Sequence, residues 1–554
     1  MPIEVFPPSR NTLKSITSRF ALQRDDWNDY SFQTLYHLHY RHGKEPTDVT
    51  YIGAVKILKR GQTKRDRPLI QKAFDSLEPT FVSVGTTLDY YQRLNDIPTT
   101  HRATIMRALN DAVAHPELVD LFSAEEGWQT SLFRDNPEWQ AFLTDARVLY
   151  EGNFGALPDM EQSFSYVPRS GEHRIEFDFG APEPESYFGP YRRQGPSRKQ
   201  TLLPERMIIL VGRNGSGKST LLSRLARVAF ASPQDRATKQ LTALGRLEPA
   251  SIGFMRVITI SYSAFDSFIV PGVVARDLTQ ITQDIENGDG RFVFCGLRDI
   301  VAEVRDDIEK AEDAVADGDE GLVVERRTST RLKSVDALAN EFAKLLGRIR
   351  RGGTTELFNA ALEPLLGDPS FADLGEQVVD LFSSAARAKR IFLGWSTGHK
   401  IVLHVVASLV ANTRPRSLVL FDEPEAHLHP PLMAALMHSV RLVLTEVNAF
   451  CVIATHSPVL LQETLARHVR NIRRVGDKIE VTKPELETFG ENVGILTYST
   501  FGLTASSTDF HKALDLLVRG CDSVEEIDQV FTPGLSGQAR AYVLSKLAAK
   551  RGRA

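Results

Sequence analysis

The stretch Gly212-Arg213-Asn214-Gly215-Ser216-Gly217-Lys218-Ser219, with Thr220 next, constrains the fold of this chain more than any other. An apolar, strand-like run, Met207–Val211, precedes it, and Lys218–Phe230 follows with helical spacing. Glycines let a backbone curl around phosphate oxygens, and successive N–H groups at a helix start supply positive potential for an anion. In such a loop Lys218 reaches the outer phosphates of a nucleotide and the Ser219 hydroxyl ligates Mg²⁺. The bland alternative is a glycine turn that opens a helix by chance; the complete match and its flanks stand against it.

Three further clusters point to the same chemistry. Ser417–Phe421 reads as an apolar strand ending in Asp422-Glu423-Pro424, which offers one carboxylate for Mg²⁺ and a second, Glu423, as general base for water. Gly394-Trp395-Ser396-Thr397-Gly398-His399-Lys400 opens a helix and offers a second anion site. One subunit has no need of two phosphate cradles, whereas two subunits packed head to tail do. Ala454-Thr455-His456-Ser457-Pro458 ends the next strand, with His456 set to contact a γ-phosphate or the attacking water. Each has a structural alternative: a solvated acidic turn, a Ser/Gly helix cap, and a packing histidine.

Phosphate loop, Ser-x-Gly signature, Asp-Glu-Pro-Glu strand and strand-end histidine, in that order, resemble the ABC/SMC-type ATPase head. The resemblance covers roughly 25–60 and 160–490, outside insertions. It implies that ATP is sandwiched between two heads. Gly212, Arg213, Asn214, Gly215, Ser216, Gly217, Lys218, Ser219 and Thr220 then bind nucleotide, and Ser219 and Asp422 hold Mg²⁺. Lys218, Glu423 and His456 act in catalysis, and Ser396, Thr397, Gly398, His399 and Lys400 complete the partner's site. Asp422–Pro430 and Ala454–Pro458, with the Asp29–Lys59 hairpin, Val84–Leu94 and Ser261–Phe265, resemble bacterial anti-phage ATPases of the OLD, Septu and retron-associated type. That subgroup implies a homodimer or higher oligomer working with an effector, chiefly a nuclease, and leaves DNA or a retron-type RNA–DNA species open as a ligand.

The chain departs from the pattern in two places. Trp395 stands where leucine is commoner, and Ser261–Asp266 lacks a glutamine, leaving Gln280 and Gln283 as weak substitutes. The stretch after His456 shows no Asp-x-Asp pair and is short for a nuclease domain, so cleavage of DNA by this chain itself is not expected.

Composition narrows the alternatives. Lys+Arg number 66 against 70 Asp+Glu in 554 residues, which excludes a histone-like polycation. Three scattered cysteines argue against a disulfide framework or zinc site and for reduced thiols. The N-terminus lacks an apolar leader core, and no apolar run approaches the ~18–20 residues that span a bilayer, so a cytoplasmic protein with no membrane contact is expected.

The expected fold is α/β: a mixed β lobe plus a parallel α/β core, with helical insertions and a helical tail. Residues 1–24 form a lead, and 25–66 with 155–492 form a discontinuous head. A helical insertion spans 67–154 and a helical arm 270–390; 493–554 is a helical region suited to partner docking. Strands are expected at Ser31–Tyr40, Val49–Leu58, Ser163–Val167, Arg174–Phe179 and Ser251–Tyr262. An acidic helix, Asp299–Glu320, and a basic segment, Leu322–Arg351, are expected to pair as the arm. Arg192, Arg193, Arg198 and Lys199, with Arg326–Arg351, either grip nucleic-acid phosphate or form a solvated face. Tyr187, Phe188 and Tyr191 stack on adenine or pack in the β lobe. His427 and His429 either pack or touch a second subunit. The rival functions are a DNA-repair or chromosome-tethering head and, less fittingly, the cytosolic engine of a transporter.

Overall fold

The computed structural model describes residues 2–8, 16–25, 32–41, 43, 49–64, 66, 69–70, 72–95, 97–134, 139–151, 163–168, 174–179, 206–231, 236, 238–249, 252–266, 268–272, 275–288, 290–315, 330–372, 380–476, 478–501 and 509–551. They fall into two compact units, Met1–Ile208 with Gly217–Ala454, and Ile209–Ser216 with Thr455–Ala554. Tyr187, Phe188, Tyr191, Arg192, Arg193, Arg198 and Lys199 lie outside the described residues.

The first unit begins with a five-stranded sheet of order β1-β2-β3-β4-β5: β1 (Ile3–Phe6), β2 (Phe20–Arg24), β3 (Leu35–Arg41), β4 (Val49–Lys59) and β5 (Phe81–Gly85). The expected hairpin is β3–β4, joined by antiparallel pairing. Four helices pack on this sheet: α1 (Leu88–Asn95), α2 (Thr99–Ala108), α3 (Glu117–Phe122) and α4 (Trp139–Glu151). Phe32, Leu58, Tyr91, Trp128 and Phe133 share one buried cluster, so hairpin and helices form a single core. Residues 67–154 are therefore not purely helical. Phe-Val-Ser-Val-Gly of β5 is buried at every position and pairs with β4. A run hidden on both faces lacks the alternation that marks a half-exposed strand.

A small antiparallel sheet, β7-β6-β9, follows: β6 (Ser163–Val167), β7 (Ile175–Asp178) and β9 (Arg246–Glu248). The nucleotide-type sheet of this unit has parallel strands in the order β11-β10-β12-β13, from β10 (Val257–Ser261), β11 (Phe292–Gly296), β12 (Leu418–Asp422) and β13 (Phe450–Thr455). Parallel strands covered on both faces read as continuous apolar runs, as Leu-Val-Leu-Phe does in β12. Strand β8 (Met207–Val211) begins in this unit, where Arg206 O accepts from Cys451 N at 2.9 Å. Helices α5 (Lys218–Phe230) and α6 (Lys239–Thr242) follow it.

Next come α7 (Ala275–Asn287), α8 (Ile300–Val315), α9 (Val335–Arg351), α10 (Thr355–Leu366), α11 (Pro369–Ala372), α12 (Ala385–Gly394), α13 (Thr397–Asn412) and α14 (Pro430–Val447). The expected 270–390 arm needs two corrections. It contains β11, a member of the parallel sheet, and its basic helix does not chiefly pair with the acidic one: α9 packs on α12 and α13, while α8 packs on α7. The cause is apolar. Leu338, Phe342, Leu345, Leu346 and Ile349 on α9 are all buried, and Phe342 stacks on Phe392 with ring centroids 4.9 Å apart. Each such side chain contributes roughly 1.5–3 kcal/mol, against about 0–1 kcal/mol for a surface ion pair. Arg93 of α1 and Asp284 of α7 form a buried ion pair that fastens the N-terminal sheet domain to this region.

In the second unit, Ile209–Val211 of β8 pair in parallel with β14 (Val469–Val475), and β15 (Lys478–Thr482) returns antiparallel. Helices α15 (Pro458–Gln462), α16 (Val493–Phe501), α17 (Asp509–Gly520), α18 (Val524–Asp528) and α19 (Gly537–Arg551) complete it. Leu514, Val518, Ile527, Val543 and Leu547 give the last three a small core of their own.

Candidate functional site

The phosphate loop is built by sharp backbone choices. All five residues of β8 are buried; the chain then turns, with Ser216 N donating to Arg213 O at 3.1 Å. Gly217 takes φ +95° as the residue before α5, a left-handed conformation that a side chain resists. Gly212 has no room for one: a Cβ there would lie 2.2 Å from the Ile472 carbonyl oxygen. Arg213, Asn214 and Gly215 are exposed, while Ser216 and Lys218 are buried and Ser219 and Thr220 half-buried.

At the base of the first turn of α5, the Ser219 hydroxyl donates to Asp422 Oδ1 at 3.0 Å. Asp422 is the last residue of β12 and only 3% exposed. Burial pushes its carboxyl up to about 7; the charges of Glu423 and Asp266 add to that, while the Ser219 bond and Lys218 oppose it. Lys218 is lowered by its own burial and held up by Glu423, Asp422 and Glu425. The half-buried Ser219 hydroxyl and the buried Asp422 carboxylate, with acidic neighbours, are hard oxygen donors that fit a divalent cation such as Mg²⁺.

Glu423 continues the ladder, its N–H donating to Ala454 O at 2.9 Å, but takes φ +48°. A non-glycine residue in the left-handed region signals local strain, of a kind that clusters at functional sites. Here it turns the chain off the strand line directly after Asp422.

The Ser396–Lys400 group opens α13. Ser396 is its cap, with Oγ accepting from His399 N at 3.3 Å, and Lys400 Nζ donates to Trp395 O at 2.6 Å. Ser396 and Thr397 are exposed; Gly398, His399 and Lys400 are half-buried. Burial lowers the His399 imidazole, and its ring lies 4.5 Å from that of Phe371. The departure at Trp395 has a packing cause: the indole is buried, edge-on to Phe342 at 6.2 Å. His429 is the cap of α14, its Nδ1 accepting from Leu432 N at 3.3 Å, while His427 is exposed at φ +67°.

His456 follows β13 in the second unit and is exposed, beside Thr455 Oγ1, which accepts from Ser457 N at 2.9 Å. Gln283 is exposed on α7, and the Gln280 side chain lies outside the described residues. The residue that sequence reasoning missed is Asp266. Its charge is felt at Asp422, and it is paired with Arg298. Arg298 Nη1 donates to Asp266 Oδ1 at 2.6 Å, Asp266 O at 3.1 Å and Phe268 O at 2.9 Å, while its Nε donates to Glu303 Oε1 at 3.1 Å. No local motif marks a clamp between residues 32 positions apart.

Of the basic segment, Arg331 pairs with Asp306 at 2.9 Å, Lys333 with Glu341 at 2.7 Å, and Arg348 donates to Asn412 Oδ1 at 2.6 Å. These side chains meet protein partners, whereas Arg350 and Arg351 lie in the last turn of α9. Arg326 and Arg327 lie outside the described residues. Among the described residues no helix is long and apolar enough to cross a membrane.

A family model described as "AAA domain, putative AbiEii toxin, Type IV TA system" matches residues 297–462, a span that holds Ser396–Lys400, Asp422, Glu423 and His456. Protein ea59 of Escherichia phage lambda is 29% identical over 536 residues, covering 91% of this chain and 90% of that protein. A solved structure described as "An inward-facing conformation of a putative metal-chelate type ABC transporter" is 14% identical, with a TM-score of 0.25 over 58% of this chain and 84% of that one; so low a score adds nothing to the argument. The parallel sheet and the phosphate loop give a P-loop type α/β fold, which over residues 297–462 is similar to that AAA family.

Proposed function

We propose that this protein is an Mg²⁺-dependent ATPase that dimerises around ATP and serves as a switch for an effector protein, chiefly a nuclease, in anti-phage defence of the OLD, Septu or retron-associated type. The observation that carries the ATPase reading is the 3.0 Å bond from Ser219 to Asp422, with Lys218 in the field of Glu423, Asp422 and Glu425.

Lys218 neutralises the outer phosphates, and the loop amides orient them. Ser219 and Asp422 hold the cation, which when bound offsets phosphate charge as it develops. Glu423, at φ +48° directly after Asp422, accepts a proton from the attacking water. His456 is assigned the γ-phosphate contact by its sequence position. Ser396 and Gly398 are assigned to a second copy's nucleotide, because one chain has no use for two cradles.

The description of the matched family model, a putative toxin, supports a defence role, and the effector follows from the resemblance of Asp422–Pro430 and Ala454–Pro458 to the anti-phage ATPases. The lambda relative is itself encoded by a phage, and its name assigns it no role. Native purification from the source cell, with mass spectrometry and a nucleic-acid stain, tests it. A stoichiometric nuclease or a small RNA–DNA species supports the switch; a lone dimer whose ATPase rises with DNA replaces it with a DNA-acting head.

A further inference from the structure

A buried polar network lies apart from the residues assigned to nucleotide. Tyr262 OH meets His404 Nδ1 at 2.6 Å, and Cys295 Sγ lies 3.7 Å from the same nitrogen and 3.6 Å from the phenol oxygen. On its other side, His404 Nε2 faces Glu341 Oε1 at 3.5 Å, and Glu341 Oε2 takes a bond from Lys333 Nζ at 2.7 Å. Tyr262, Cys295 and His404 are 4%, 0% and 1% exposed. Burial opposes charge on His404, but Cys295 and Glu341 outweigh it and push the imidazole up to about 10. The ring thus lies between the Glu341 carboxylate on one side and the phenol and thiol on the other.

Well-packed apolar residues commonly serve stability as well as, or better than, a buried charged network; a network specifies one arrangement of its elements. The elements here are telling. Tyr262 directly follows Ser261, whose register partner on β12 is Asp422. His404 lies about two turns along α13 from the Ser396 cap. A shift of α13 against the end of β10 breaks the bond between phenol and imidazole.

Building on the ATPase reading, we propose that His404 is a positioning residue: its bond to Tyr262 fixes the Ser396 end of α13 to the Asp422 end of the sheet, so that nucleotide bound at one is felt at the other. Coupling of this kind needs an element that both sites bias, and the phenol–imidazole bond is its physical link.

Hydrogen exchange on the full chain, with and without Mg²⁺ and a non-hydrolysable ATP analogue, tests this. In the parent the analogue slows exchange at 257–266 and at 396–404. In Tyr262→Phe, which keeps the ring and loses only the hydroxyl, slowing persists at 257–266 and falls at least ~5-fold at 396–404. In the same variant kcat falls about 10-fold while KM for ATP stays within about twofold, a split that a merely structural role does not produce. His404→Gln behaves alike. Undiminished slowing at 396–404 in both variants overturns the proposal. If the analogue slows neither segment in the parent, the ATPase reading fails; the positioning claim then stands or falls on whether Tyr262→Phe speeds exchange at 396–404 without nucleotide.

Discussion

The Ser219 hydroxyl and the Asp422 carboxylate meet at 3.0 Å, joining the first turn of the helix after the phosphate loop to the end of β12. This bond holds the two oxygen donors at hydrogen-bond separation, ready for a cation, and leaves the carboxylate buried among acidic neighbours.

That burial predicts a pH signature in the protein without nucleotide. The folded carboxyl of Asp422 is raised to about 7 from an ordinary 3.8, so the folded state keeps a proton that the unfolded chain releases. Its contribution is present in full at low pH and is lost as pH rises toward and through 7. Asp422→Asn, which cannot ionise, is therefore expected to be more stable than the parent at pH 8 by roughly 2–4 kcal/mol, the gap narrowing as pH falls below 7 and closing only below about pH 4. Calorimetry at both pH values measures it; an equal gap at both removes the assignment.

Glu423→Gln is expected to bind ATP normally and to lose hydrolysis by roughly 10²–10⁴-fold, as befits removal of a general base. With ATP on a sizing column it should run as a stable dimer. Hydrolysis at the parental rate would transfer the base role to another group.

Arg298→Ala strips the partner from two buried carboxylates, Asp266 and Glu303. Losing one side of such a cluster costs about 3–5 kcal/mol. Urea titration should show the midpoint shift, and a change below about 1 kcal/mol would mean that water replaces the guanidinium.

Thiol chemistry gives an inexpensive check on the packing. Cys295 and Cys451 are buried and Cys521 is half-buried, so one fast-reacting thiol per native chain is expected, and three after unfolding. Burial also pushes the Cys451 thiol well up, which slows it further. Two fast thiols in the native protein would show that one of these sites opens.

The sequence was most legible where chemistry restricts the choice of residue. Met207–Val211 and Lys218–Phe230 are a strand and a helix with those same bounds, because the glycine loop between them admits little else. The helical region expected over 493–554 contains Asp509–Gly520 and Gly537–Arg551, which share a small core through Leu514, Val518, Val543 and Leu547. Short strands buried at all or nearly all positions are not legible. Phe81–Gly85 and Phe292–Gly296 lack alternation, and helical neighbours mask them. Charge misled at α9, where an apolar stripe decided the partner. The Asp266–Arg298 clamp joins two loops through the fold and has no signature along the chain.

Gly212 bears on how degenerate relatives are to be read. Its missing side chain is demanded by the Ile472 carbonyl, a neighbour within the protein, whereas Gly215 has open space around it. A descendant that had abandoned nucleotides would still be held to glycine at the first position by its own backbone. Inactivation would surface first at Lys218 and Ser219, and a retained glycine would testify only to architecture.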